Sequence, residues 1–237
     1  MAVENQVNFL KFTSEPSLIA RALATHELEF YNAIKVEELI EKLLFKGGLE
    51  EENPKTLPLL ALINWVNQLG FWLGHEICLN YDIKSRTKTL ARFIEIAKEC
   101  VDLGCYNTVF ALVTGLSASS ILRLKKTWEG LPKKLLVTFT ELENICSPQF
   151  NYRTYRTLEA KAKPPFIPFF GMHMRDILFM NDGKPSQVSG EMMSFLKLRT
   201  MATTAREIIR FQKLTFYDFP SGVGYDLPLF HSTNALF

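Results

Sequence analysis

The stretch PPFIPFFGMHMRDILFMNDGKP, Pro164–Pro185, decides how the rest of the chain is read. Prolines fix its entry, and an Asp-Gly-Lys-Pro turn from Asp182 closes it. Of the twelve residues from Phe169 to Met180, eight are large and apolar. A helix that buries one face needs only about three or four apolar positions per two turns. This one has them nearly all round. The following segment, Met192 to Lys213, spaces Phe195, Leu198, Ala202, Ala205 and Ile209 by threes and fours, with Lys197, Arg199, Arg206 and Lys213 off the stripe. The two segments predict an αα-hairpin. Its first arm is apolar on two sides: one packs on its own domain, and the other is covered by further helices or left to a partner.

Working outward, helical periodicity dominates. Pro16 to Lys46 reads as helix, with a break near Val36, and KGGLEEENP follows as a loop with Gly47 as C-cap. Thr56 caps the next helix, which runs through LPLLALINWVNQLGFWLGHEICL with Pro58 tolerated in its first turn. A helix over about 83–103 ends at Gly104. Residues 106–128 give one or two helices split near Gly115, and 135–145 and 152–162 give two more. Strand signals are weak, and there are no repeats or linkers. The reading is all-α: one domain over 1–237, with a core at about 14–213 and an irregular tail at 214–237.

Composition narrows the function. The chain has 237 residues, 47% hydrophobic and 22% charged, with a net charge of +2. That is ordinary for a globular domain with a substantial core and supplies no field that points to nucleic acid. No run of 18 apolar residues occurs, so no membrane insertion is expected. The N-terminus is polar, and the four cysteines form no CxxC pair, which suits reduced thiols in a cytoplasmic setting. Phosphate-cradling glycine motifs are missing. His75-Glu76 lacks the second histidine of a zinc-protease helix, and Ser117, Ser119 and Ser120 lack a nucleophile-elbow context. No constellation points to covalent catalysis, and no metal or cofactor is expected.

Several collinear stretches then resemble one family, the catalytic domains of Ras-family guanine-nucleotide exchange factors of the Son-of-sevenless and Rap-exchange type. IARALATHELEFYNAI is similar to the family's opening helix, and VNQLGFWLGHEI to its Phe-Asn-x-x-Ser-x-Trp helix. NTVFALVTGLSASSILRLKKTWEGLP carries the Arg-Leu-x-x-Thr-Trp core, and NYRTYR resembles the Asn-x-x-x-Tyr-Arg signature. PPFIPFFGMHMRDILFMNDGKP and SFLKLRTMATTAREIIRF resemble the arms of its catalytic hairpin. The resemblance spans about Leu18 to Gln212. The family's extra N-terminal helical module is not expected within it, the hairpin loop is a few residues shorter, and Ser194 stands where the family often has Asn.

The resemblance implies a helical bowl from which a hairpin (about 169–213) projects and wedges into the nucleotide site of a GTPase. The spare apolar face would meet that partner. By position, Leu178 would sit beside the Mg²⁺ site and Asp182, usually Glu in the family, beside the phosphate-loop hydroxyl. Tyr152, Phe169, Phe110, Ser117 and Asn64 align with positions that hold the partner's switch II segment. Arg123, Trp128, Asn151 and Arg156 would pack or cap the hairpin's base. The resemblance thus implies a catalyst of GDP release that makes and breaks no bond; GDP, GTP and Mg²⁺ belong to the partner, and a monomer is expected. Ser117 resembles Rap-directed members whereas PFFG resembles Son-of-sevenless; the two cues conflict, and the expected partner is a GTPase of the Ras, Rap or Ral subfamily with no choice among them. The alternative is a non-catalytic GTPase-binding scaffold with the same fold. Any recruitment to membranes would come through the GTPase or another factor.

Overall fold

Helical periodicity becomes ten helices and one two-stranded ribbon among the residues that the computed structural model describes, which are 15–35, 58–182, 187–189, 192–193 and 195–212. The helices are α1 (Pro16–Ala33), α2 (Pro58–Cys78), α3 (Ile83–Asp102), α4 (Tyr106–Leu116), α5 (Ser119–Leu122), α6 (Lys125–Glu129), α7 (Lys133–Cys146), α8 (Gln149–Lys161), α9 (Phe170–Asp182) and α10 (Phe195–Ile209). Strands β1 (Gln187–Ser189) and β2 (Met192–Met193) pair antiparallel between α9 and α10. The Val36 break, the loop at Gly47, the Thr56 cap, the Gly183–Pro185 turn and the tail from Lys213 lie outside the described residues.

The most apolar helix takes the centre. Every residue of α4 except Thr114 is buried, as expected of a helix apolar on all sides. α2 packs along it, and α3 packs on both α1 and α4. α2 and α4 approach at Gly115, where an added Cβ would lie 3.3 Å from Leu73 and 3.4 Å from the Gly70 Cα. Trp65, Tyr31 and Phe93 fill the space between the layers. α3 begins with an Asp82 cap whose Oδ1 accepts the Ser85 N–H at 2.7 Å, satisfying one of the free donors at a helix start.

Gly104 sets the base of the hairpin. Its φ of +75° suits glycine, and a Cβ there would stand 2.4 Å from the Pro165 carbonyl oxygen. The close approach lets the Ile167 N–H donate to the Gly104 oxygen at 2.8 Å, and the Tyr106 N–H donate to the Ile167 oxygen at 3.0 Å. The chain entering α9 is thereby tied to the first turn of α4.

Three expectations change. The long second arm begins at Phe195, since Met192 and Met193 are taken by the ribbon. Residues 106–128 form three helices, because Ser117 and Ala118 turn the chain after α4 and Leu124 breaks it again before α6. α8 starts with a left-handed turn, with φ of 50°, 58° and 57° at Phe150, Asn151 and Tyr152.

Candidate functional site

The buried and exposed sides of α9 come from one periodicity. Phe170, Met172, His173, Met174 and Ile177 are buried, with α10 packed alongside. Leu178 is 39% exposed and Phe179 65% exposed. The second apolar face read in the sequence is therefore in solvent at the far half of the helix. Asp182 is the last residue of α9, and its side chain lies outside the described part of the structure.

At the near end of α9 an apolar groove of about 620 Å³ opens between α2, α4 and α5. Phe110 and Phe169 stack in it with centroids 3.6 Å apart and planes within 6°. Phe110 is nearly enclosed, and Phe169 is half-buried. Phe71, 80% exposed, stands on the α2 wall with Asn67 and Gly74. Tyr152 approaches both stacked rings, 5.9 Å from Phe110 and 5.8 Å from Phe169. An open apolar cleft with rigid aromatics suits an apolar segment of a partner, since aromatics bury much area at small rotamer cost.

The other expected residues fall as follows. Ser117 caps the C-terminus of α4, and its hydroxyl donates to Glu143 Oε1 at 3.3 Å. Asn64 is half-buried on the same face of α2 as Phe71, two turns earlier and beyond the groove's lining. Of the residues expected at the hairpin's base, Asn151 and Arg156 meet α9 directly. The Arg156 guanidinium donates to Asp176 Oδ2 at 2.5 Å and, through Nε, to the Asn151 carbonyl at 2.9 Å. Trp128 instead braces α5 and α7, donating to the Ile121 oxygen at 3.1 Å and packing 4.9 Å from Phe139. Arg123 is exposed at the end of α5.

Sequence reasoning missed four residues that position the site. Arg175 of α9 donates to Asn151 Oδ1 and lies 4.8 Å over the Tyr152 ring, a cation–π distance. It holds the left-handed turn, whose three non-glycine residues each cost about 1–2 kcal/mol of backbone strain. Asn151, at the centre of that turn, is among the residues that tolerate it best. Tyr155, fully buried, accepts the Phe169 N–H on its hydroxyl at 2.7 Å.

Glu27 and Asn107 lie deeper. Glu27 is wholly buried on the apolar stripe of α1, where it accepts from Asn107 Nδ2 at 2.7 Å and Thr108 Oγ1 at 2.8 Å. Asn107 Oδ1 in turn accepts the Phe170 N–H, the first of α9, at 3.3 Å. Burial pushes the Glu27 carboxyl up to about 7, against the pull of the hydrogen bonds from Thr108 and Asn107. A charge among Leu23, Ala24, Leu28 and Tyr31 was the available sequence signal. His173 and Glu159 meet at 2.6 Å behind α9, and Arg210 donates to the Glu159 carbonyl at 2.7 Å, joining the second arm to α8. Among the described residues no His, Cys, Asp and Glu cluster is arranged to hold a metal ion.

Residues 18–199 match the model of the RasGEF domain family. Ras guanine nucleotide exchange factor J of Dictyostelium discoideum is 34% identical over 206 residues, covering 86% of this chain and 25% of that protein. Ras guanine nucleotide exchange factor Y of the same organism is 32% identical over 198 residues, covering 84% of this chain and 13% of that protein. Rap guanine nucleotide exchange factor 5 of Rattus norvegicus is 32% identical over 190 residues, covering 80% of this chain and 32% of that protein. The chain thus spans at most about a third of the length of these relatives.

Proposed function

The chain belongs to the RasGEF domain family, and on that premise we propose that it promotes release of GDP from a Ras-family small GTPase by pressing α9 into the nucleotide site. The observation that carries this reading is the exposed apolar end of α9, Leu178 and Phe179, held on a helix whose opposite face is locked into the core. The aromatic groove beside Phe110, Phe169 and Tyr152 would seat a switch segment of the GTPase. Leu178 would then stand by the Mg²⁺ site, supplying no ligand oxygen to an ion that demands near-octahedral oxygen coordination. Asp182 would bring negative charge into phosphate territory. Both penalise the nucleotide-bound state of the partner relative to the empty one. By linkage, a protein that prefers the empty GTPase weakens its nucleotide affinity by the same factor.

A second reading, a scaffold that binds the GTPase without displacing nucleotide, draws on Asp182, an acid one methylene shorter than the family's usual Glu. Release of a fluorescent GDP from purified Ras, Rap and Ral GTPases separates the two. Acceleration on any of them supports exchange and names the substrate. Stable binding with no acceleration supports the scaffold.

A further inference from the structure

A net charge of +2 conceals a segregated surface. Residues 81–88 and 122–134 hold eight of the 27 basic side chains and two of the 25 acidic ones, leaving 19 basic against 23 acidic elsewhere. Folding sets these two segments side by side. Arg86 Nε donates to Thr127 Oγ1 at 2.9 Å, and its Nη1 donates to the Asn80 carbonyl at 3.0 Å. Thr87 Oγ1 donates to the Thr127 carbonyl at 3.2 Å. The start of α3 and the short α6 are thus adjacent, and residues 130–132 lead from α6 directly into the head of α7.

Six lysines lie on these adjoining elements: Lys84 and Lys88 one turn apart on α3, Lys125 and Lys126 on α6, and Lys133 and Lys134 opening α7. All are exposed, and none makes an ion pair or side-chain hydrogen bond among the described residues. The nearby acids are Asp82, whose Oδ1 caps α3, and Glu129. Helix stability does not account for Lys133 and Lys134, because the positive end of the α7 dipole disfavours cations at their positions. Exposed apolar side chains flank these lysines in the chain: Tyr81 is 93% exposed, and Leu122 and Val137 are exposed as well.

We propose that this basic surface, centred on α6 and the head of α7, is a peripheral docking surface for an anionic lipid bilayer. Lysines would lie over the headgroups, with Tyr81 and its aliphatic neighbours at the interface level. The choice of cation favours a bilayer over a folded protein. Protein interfaces are enriched in Arg and depleted in Lys, whereas here Arg86 is committed to holding the fold and the free cations are lysines apart from Arg123. Contact of this kind needs no spanning segment, and no helix among the described residues is long and apolar enough to cross a membrane.

The test is flotation of the whole chain with vesicles of phosphatidylcholine alone or with about 30% phosphatidylserine, at low and high salt. Binding only to the anionic vesicles, released by salt, is expected. A variant with Lys125, Lys126, Lys133 and Lys134 changed to Gln should bind at least roughly tenfold more weakly, with an unchanged circular dichroism spectrum. Neutralising Arg153, Lys161, Lys163 and Arg199 should leave vesicle binding intact. Equal binding to both vesicle types, no binding to either, or equal loss in the two variants overturns the proposal. If instead the patch variant loses affinity for a GTPase in solution while the unaltered chain ignores vesicles, the face belongs to a protein partner.

Discussion

The guanidinium of Arg175 lies 4.8 Å over the ring of Tyr152, joining the hairpin helix to the aromatic wall of the groove. Arg175 is one helical turn before Leu178 and Phe179. Whatever displaces Tyr152 therefore acts on the same helix that carries the proposed wedge. The Arg156–Asp176 pair fastens a second point on that helix.

Tyr152→Ala should weaken binding to the nucleotide-free GTPase by about 2 kcal/mol, the scale of an aromatic hot spot. Its contact with Arg175 is worth about 0.5–1 kcal/mol to the fold at a partly exposed site, and its ring contacts with Phe110 and Phe169 add to that, so the melting temperature should fall by a few degrees without loss of the fold. Titration calorimetry alongside thermal melting checks both. Unchanged affinity in a native fold removes Tyr152 from the interface.

Leu178→Arg and Ile177→Arg should part company. Leu178 is 39% exposed and Ile177 is 1% exposed. A charge at 178 stays solvated, so the protein should melt near the wild-type temperature yet lose exchange. A charge at 177 is buried unpaired and should cost several kcal/mol of stability. A large melting shift for the 178 variant would make that residue a core position.

Asp182→Ala should slow exchange about tenfold, equivalent to about 1.4 kcal/mol, with Leu178 carrying more of the effect. Stopped-flow release of labelled GDP at saturating exchange factor ranks the variants. If alanine matches wild type, Asp182 is a turn residue only, and displacement rests on Leu178.

Glu27 makes stability depend on pH in a direction opposite to most carboxylates. Its pKa is raised by burial from 4.5 to about 7 in the folded state, so folding takes up a proton between those values. That contribution is fully present below 4.5 and is lost as pH rises through 7. His26 opposes it: burial lowers its imidazole from 6.5 to about 4, so its contribution is lost as pH falls through that range. The two slopes offset each other in the wild type. Glu27→Gln exposes the difference, and its stability relative to wild type should climb between pH 5 and 7 by on the order of 2 kcal/mol. Urea titrations at several pH values measure it, and a constant offset between the two proteins would place no titrating proton at Glu27.

Short-range signals made much of this protein legible from sequence. Periods of three and four located the helices, and the Pro-rich entry and the doubled apolar face marked α9, because helix formation and solvent exposure depend on near neighbours in the chain. Gly104 was readable as a helix end, since a positive φ favours one residue type. The same local logic could not foresee the left-handed turn at Phe150–Tyr152. That turn is held by Arg175, 24 residues beyond Asn151. It also missed β1 and β2, which are too short to show an alternating pattern.

Spacing along single elements carried the helical class, the hairpin and the doubled apolar face of its first arm, because each depends on near neighbours in the chain. Which residues meet across the fold came from packing between elements. Glu27 reaches Asn107 across 80 residues, Phe110 stacks on Phe169 at the entry to α9, and Arg86 of α3 bonds Thr127 of α6. Long-range packing settles such neighbours, because burial rewards any mutually compatible set of apolar faces and only the closed core selects one.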